Sequence, residues 1–298
     1  MIALPGARVL PLAALLLAAV TADVRADISV IDDSGANVVL ARPAQRIVSL
    51  APHLTEQLYA IGAGERIVGT TEHADYPPSA RAIPRVARAH AISVEGIAAL
   101  QPDLIVTWGS GFPAETVEPL RRLGVPVFVN EPRTLANVAS SMRRLGVLTG
   151  LDGGPAAARF SARLDELRAA HAAQPPVRVF YQVWAEPLMT LTSRHVISEA
   201  IKLCGGRNVF ADVPGISPTV SAEAVIAADP QLIATAEPGA RAGGALDYWK
   251  RFDTLSATRL DQFATLDADR INRQGPRLPD EIAVLCAAIA RTRARLTK

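Results

Sequence analysis

Cysteine is nearly absent. Only Cys204 and Cys286 occur in 298 residues, in no CxxC pair and beside no histidine cluster, which excludes a thioredoxin-type redox motif and a structural zinc site. Aromatic residues make up only 5% of the chain, so each Trp and Tyr is informative. Neither sign of charge dominates. The 31 Lys and Arg against 29 Asp and Glu give no electrostatic case for nucleic acid or an anionic membrane. There is no GxSxG elbow, no HExxH, no P-loop and no GxGxxG after a strand, so the common hydrolase, protease and nucleotide-binding signatures are missing. Five histidines, His53, His73, His90, His171 and His195, are scattered without metal-ligand spacing. No long apolar run follows the first 26 residues.

Those 26 residues read as an export signal and are set apart from the fold. Arg8 precedes an apolar run from Val9 to Val20, and Val24-Arg25-Ala26 places small or tolerated residues where a signal peptidase reads. The run is about a dozen residues, short of the ~20 that a membrane-spanning helix needs; a retained anchor is the weaker alternative. The expectation is a signal peptide over 1–26 and a periplasmic chain from Asp27, without a lipid, because no Cys lies near the cleavage point. Losing Arg8, Arg25 and Asp23 takes the formal charge from +2 to +1. In an oxidising compartment an even cysteine count points to a disulfide. Closing a loop of ~80 residues stabilises a fold by roughly 4 kcal/mol in the chain-entropy model. Two buried free thiols are the alternative.

Short β-rich runs alternate with helical patterns, which predicts α/β architecture. Strand candidates are 46–50, 66–70, 104–108 and 125–130, then 178–183, 232–236 and 263–267. Amphipathic runs lie at 55–61, 94–100, 135–148 and 281–296, and Asp33-Ser34-Gly35-Ala36-Asn37 marks an opening hairpin. The chain also repeats itself. Ser93-Val94-Glu95 through Pro102-Asp103-Leu104-Ile105-Val106-Thr107 lies on Ser221-Ala222-Glu223 through Pro230-Gln231-Leu232-Ile233-Ala234-Thr235, with seven of fifteen pairs identical. Each copy reads as a Ser N-cap, a short helix, a Pro-containing turn and a β-run. A second echo pairs Gly62-Ala63-Gly64-Glu65-Arg66 with Cys204-Gly205-Gly206-Arg207-Asn208, where a helix ends on glycine. A two-copy repeat at this distance implies two similar lobes.

The expected organisation is an N-terminal lobe over 27–150, a linking helix over 151–175 and a C-terminal lobe over 176–298. The linker is rich in Ala, Arg, Leu and Glu, carries Phe160, Leu164 and Leu167 at helical spacing, and stops at Pro175-Pro176. It reads as a stiff strut that limits lobe closure. Two Rossmann-like lobes create a ligand cleft at their strand ends. Tyr76 follows one strand, Trp108 ends another before Gly109-Ser110-Gly111, and Trp184 ends a third in the other lobe. Aromatics so placed suit a large, flat, partly apolar ligand, or else pack in their own cores. His53, His73 and His90 sit in or near loops. They read first as ordinary polar residues, with a bare zinc or manganese site a distant option.

Several blocks resemble the cluster-A (class III) periplasmic substrate-binding proteins of ABC importers, which take cobalamin, ferric siderophores or haem. They are Arg46-Ile47-Val48-Ser49-Leu50-Ala51-Pro52 with Thr55-Glu56, Asp75-Tyr76-Pro77-Pro78, Pro102-Asp103-Leu104-Ile105-Val106, Cys204-Gly205-Gly206-Arg207-Asn208-Val209-Phe210, and Ile271-Asn272-Arg273-Gln274-Gly275-Pro276-Arg277-Leu278. The resemblance runs from about Arg46 to Cys286 and is strongest to the members that bind cobalamin (vitamin B12). It implies two α/β lobes joined by one long rigid helix and a Cys204–Cys286 bridge. It also implies docking to a permease dimer through Glu95 and Glu223, one carboxylate per lobe. The same two glutamates also suit helix N-termini without any partner.

The resemblance implies a ligand set of Pro52, Tyr76, Trp108 and Arg273, to which the departures add His90, Trp184 and Met189. Ala89 and His90 stand where a further Trp is expected, and His90 is a candidate axial ligand to cobalt or iron. Ile216-Ser217-Pro218-Thr219 supplies no C-lobe Trp, Met189 stands for a Phe, and Trp184 is placed to compensate. The expected function is capture of a corrinoid, cobalamin or a relative, by a monomer with no resident cofactor and no catalysis. A ferric siderophore or haem is the alternative ligand, and a hydrolase built on scattered Ser and His is the distant one.

Overall fold

A computed structural model describes residues 27–88, 91–112, 114–171, 174–240 and 244–297. The signal peptide expected over 1–26, and the roles expected of Ala89 and His90, lie outside the described residues. The described chain opens with β1 (Ile28–Ile31) and β2 (Asn37–Leu40), an antiparallel hairpin. Asp32 closes its turn by accepting the Ser34 and Ala36 N–H groups at 2.9 Å each.

The N-terminal sheet contains β3 (Ile47–Ser49), β4 (Ile67–Thr71), β5 (Arg85–Arg88), β6 (Ala91–Ile92), β7 (Leu104–Trp108) and β8 (Val127–Asn130). Their order is β6-β5-β4-β3-β7-β8, parallel except for β6. Ile47, Val48, Leu104, Ile105 and Val106 are fully buried, as parallel strands covered on both faces require. Helices α1 (Pro52–Ala60), α2 (Val94–Ala99), α3 (Ala114–Arg121) and α4 (Leu135–Thr149) flank it. α3 was not legible in the sequence, because its short polar span contains Pro119, which normally interrupts a helical pattern.

Helix α5 (Gly154–His171) leads out of this lobe. Phe160, Leu164 and Leu167 form its buried stripe, and Arg163–Glu166 and Arg168–Asp165 pair along its exposed face. The second sheet holds β9 (Val177–Gln182), β12 (Gly206–Asn208), β13 (Leu232–Glu237) and β14 (Phe263–Asp267). A two-stranded hairpin, β10 (Trp184–Ala185) with β11 (Leu188–Met189), stands beside it. The order β12-β9-β13-β14 is parallel throughout. Helices α6 (Val196–Leu203), α7 (Ala222–Ala228), α8 (Ser256–Arg259), α9 (Ala268–Ile271) and α10 (Leu278–Leu296) complete the lobe.

The sheet order β4-β3-β7-β8 of the first lobe is the order β12-β9-β13-β14 of the second, so the repeat is architectural. Ser93 and Ser221 cap α2 and α7, accepting the Gly96 and Ala224 N–H groups at 3.1 and 3.2 Å. Gln101 and Asp229, equivalent in the repeat, both stand at positive φ (46° and 41°) ahead of their prolines. Asp103 accepts the Arg46 N–H at 2.8 Å, and its counterpart Gln231 accepts the Arg178 N–H at 2.9 Å. The Arg46 and Arg178 guanidinium groups reach back to the Gln101 and Asp229 carbonyls. The glycine echo holds with a shift of one: the left-handed cap matching Gly62 (φ 86°) is Gly205 (φ 73°), not Cys204.

One continuous apolar core runs through α4, α5, α6 and α10 and includes Met142, Phe160, Ile201 and Ile289. It packs the linking helix against both lobes, so the strut is embedded rather than free-standing. A Cys204–Cys286 disulfide ties the end of α6 to α10 across 82 residues of sequence. The free-thiol alternative therefore fails.

Candidate functional site

The carboxyl ends of the two parallel sheets face each other across a cavity of about 390 Å³. Trp108 stands on its N-lobe wall at the last position of β7. A buried relay supports the indole from beneath. The His53 ring meets Trp108 edge-on, with centroids 5.7 Å apart at 90°. His53 Nε2–H donates to Asn130 Oδ1 at 3.1 Å. Asn130 Nδ2 donates to Asp33 Oδ2 at 3.1 Å and to Ser141 Oγ at 2.9 Å, and Asp33 pairs with Arg144 at 2.7 Å. Burial pushes the His53 imidazole down to about 4, helped by the Arg273 charge and opposed by the bond to Asn130. A neutral ring donating from Nε2 is thus a packing support, and His53 stands buried in α1 rather than in the polar loop expected for it.

Tyr181, Val183, Leu191, Ile197 and Ile216 supply the C-lobe wall. Tyr181 is buried, its hydroxyl 3.5 Å from Asn272 Oδ1. Burial, and then the Glu281 charge, push its phenol upward, so it stays protonated. His195 caps α6: its Nδ1 accepts the Ile197 N–H at 3.2 Å, and burial lowers the ring to about 4. With Nδ1 occupied as an acceptor, the neutral ring carries its proton on Nε2. It can donate to a ligand, but it has no free lone pair for a metal. Gln274 Oε1 is buried on this wall and lacks a donor, as does Gln57 Oε1 nearby. Gln57 Nε2 donates to the Gln274 carbonyl at 2.8 Å.

The other residues expected at the ligand stand elsewhere. Arg273 is not on the cavity wall. It pairs with Glu56 at 3.3 Å, Asp75 at 2.8 Å and Asp269 at 2.7 Å. Glu56, buried in α1, also takes Arg277 Nη2 at 2.6 Å and Nε at 2.9 Å. Residues from two sequence blocks more than 200 positions apart therefore join the lobes with buried charge. Burial works against the Asp75 carboxylate, but the hydrogen bond and charge of Arg273 outweigh it and hold the carboxyl below its ordinary value. Tyr76 is half exposed and lies against this network, with the Arg277 guanidinium 3.9 Å from its ring centroid. Pro52 occupies the first turn of α1. Trp184 is 62% exposed and donates its indole N–H to the Glu186 carbonyl, while Met189 pairs with it across the β10–β11 hairpin. Neither lines the cavity.

Glu95 and Glu223 are exposed in the first turns of α2 and α7, each two residues past its capping serine. The Glu223 carboxyl is held below its ordinary value by its own N–H and then by the Ser221 hydroxyl. Among the described residues no group of three or more His, Cys, Asp or Glu is placed to hold a metal ion. No described helix is long and apolar enough to cross a membrane.

Two α/β lobes of matching sheet order, a cross-linked core and a largely apolar cleft between strand ends define a bilobal solute-binding protein. The chain belongs to the periplasmic binding protein family, which it matches over residues 47–276. It is 40% identical over 246 residues to the vitamin B12-binding protein of Vibrio cholerae, covering 82% of this chain and 88% of that one. It is 34% identical over 256 residues to the vitamin B12-binding protein of Yersinia pestis, covering 84% and 88%. The crystal structure of the Vibrio cholerae periplasmic vitamin B12-binding protein superposes with a TM-score of 0.75 at 38% identity, covering 84% of this chain and 98% of that one. The periplasmic haem-binding protein of Roseiflexus superposes with a TM-score of 0.72 at 26% identity, covering 84% and 99%.

Proposed function

We propose that this chain captures a corrinoid, cobalamin or a near relative, in the periplasm and delivers it as a monomer to the permease dimer of an ABC importer. It catalyses no reaction in this reading. Residues 1–26 are the export signal, 27–150 and 176–298 the two lobes, and 151–175 the link between them. The observation that carries the ligand class is the chemistry of the cleft wall. Trp108, Val183 and Ile216 offer apolar area to a flat ring system over a buried floor of Tyr181, Leu191 and Ile197, with the Gln274 amide beside them. A corrinoid brings a large ring for such a wall and a fringe of primary amides, which both donate to and accept from the polar groups around it. The 40% identity to a protein named for vitamin B12 binding supports the same choice.

A haem reading draws on the Roseiflexus relative. It needs an axial ligand, and His195 on the cavity wall has its one free lone pair committed to the Ile197 N–H. Glu95 and Glu223, equivalent carboxylates on equivalent capped helices, are the proposed contacts with paired cations of a two-fold permease. Calorimetric titration with cyanocobalamin, cobinamide, haem and a ferric siderophore tests the proposal. A corrinoid binds best in this reading, and Trp108→Ala costs about 1–2 kcal/mol, as for an aromatic anchor. Tight haem or siderophore binding with no corrinoid signal refutes it.

A further inference from the structure

The corrinoid reading leaves four cations of the cleft region unused. Arg133, from the segment between β8 and α4, and Arg194, just before α6, face the inter-lobe cavity from opposite lobes. Arg133 also lines a second cavity of about 460 Å³, together with Lys202 and Arg207. All four side chains are exposed, and none has an ion-pair partner among the described residues. The two carboxylates on these walls are occupied. Glu131 takes the Ser110 N–H at 2.7 Å and its hydroxyl at 2.9 Å, and Glu199 takes the Leu135 N–H at 2.7 Å. Four cations against two carboxylates leave a local charge of +2 on the walls of two adjoining cavities. The whole chain, with its many more charges, also carries only +2. Arg144, Arg273 and Arg277, by contrast, are matched by acids, and the half-buried Arg66, Arg85 and Arg293 donate to backbone carbonyls. Unmatched like charges around a concave, partly apolar wall focus the field there and favour an anion.

We propose that this basic flank is a phosphodiester subsite of the cleft, in which Arg133 and Arg194 hold the phosphate of the nucleotide arm of a cobalamin-type corrinoid. The inference rests on the corrinoid reading and deepens it. A complete cobalamin carries one phosphodiester between its macrocycle and its nucleotide base; cobinamide has the same ring and amide fringe but no such arm. The apolar wall takes the ring, and two guanidinium groups, one per lobe, meet the phosphate oxygens in the planar, two-pronged geometry that suits them. Lys202 and Arg207 add positive potential from the second cavity, an effect that salt screens. The flank thereby selects complete over truncated corrinoids, which the aromatic and amide contacts alone do not.

The test compares cobalamin with cobinamide on the full-length exported protein and on R133A/R194A, by calorimetry at low and high salt. Thermal unfolding checks that the variant is folded. Wild-type protein is expected to prefer cobalamin roughly tenfold, the combined contribution of two exposed, solvent-screened guanidinium contacts. The variant's preference is expected to fall to about twofold or less, with R133K/R194K recovering part of it. High salt should lower the wild-type preference and leave the variant's where it is. An undiminished preference in R133A/R194A overturns the subsite while leaving the corrinoid reading intact. Failure of wild-type protein to bind either corrinoid overturns both, so the two failures are distinct.

Discussion

Replacing Glu56 with Gln tests whether Arg273 is a ligand contact or part of a latch between the lobes. Glu56 is buried in α1 and accepts three guanidinium bonds, from Arg277 at 2.6 and 2.9 Å and from Arg273 at 3.3 Å. The loss does not fall evenly. Arg273 keeps Asp75 and Asp269, whereas Arg277 keeps no carboxylate, only one neutral amide oxygen at position 56, the Asp269 carbonyl at 3.0 Å and the face of Tyr76. Removing one partner of a buried pair typically costs 3–5 kcal/mol. The Arg277 side chain is still 18% exposed and gains some water, so the lower end applies, about 3 kcal/mol. For a chain of this size, roughly 2–4 °C of Tm per kcal/mol makes that a fall of about 6–12 °C. The assay is thermal and urea unfolding of Glu56→Gln, Arg277→Met and the double variant. About 2 kcal/mol is expected in the coupling between the two sites. Arg273→Ala should likewise lower stability first and affinity second. If Glu56→Gln costs less than ~1 kcal/mol, or if the Arg277→Met penalty is the same with and without Glu56, the latch is wrong. A drop in affinity alone for Arg273→Ala returns that residue to the ligand.

Gln274→Met should weaken corrinoid binding by about 1 kcal/mol while leaving stability level or slightly higher, because it removes an unsatisfied buried acceptor; unfolding and calorimetry on one sample separate the two. Stability should hold above pH ~6.5 and fall towards pH 4. His53 and His195 are lowered from 6.5 to about 4, so over that window the unfolded chain binds protons that the folded one refuses. Each ring accounts for about 3 kcal/mol lost by pH 4. Urea midpoints that do not move between pH 7 and 4.5 would refute this, and His53→Gln should flatten the profile. The Glu95→Ala/Glu223→Ala double variant should keep ligand affinity yet fail to stimulate its permease in vesicles; normal stimulation removes the docking assignment.

Patterns within a few residues of one another carried most of the architecture into view. β7 and β14 fall on the spans their β-branched and aromatic runs marked. Ser93 and Ser221 cap helices because a hydroxyl three residues before a free N–H makes the same bond in any context. The repeat foretold two lobes of one design, since equal local preferences fold to equal units. The residues that now carry the site are different in kind. His53, Asn130, Tyr181 and Gln274 take their roles from partners 77 to 217 positions away, which no local pattern reveals.

Arg273 shows the limit most plainly. Its place in the Asn-Arg-Gln-Gly-Pro-Arg block marked it as important, but whether it faces a ligand or Glu56 depends on how α1 of one lobe meets the start of α10 in the other. Their strand-end positions in the sequence mark Tyr76 and Trp184 as cleft aromatics. Packing turned one beneath Arg277 and left the other on an exposed hairpin. Sequence alone therefore determined most of the elements, the two-lobe repeat and the family, because propensity, capping and periodicity act over short stretches of chain. Which side chains share the cleft was decided only by the tertiary structure, because burial, charge pairing and ring contacts depend on distances across the lobes.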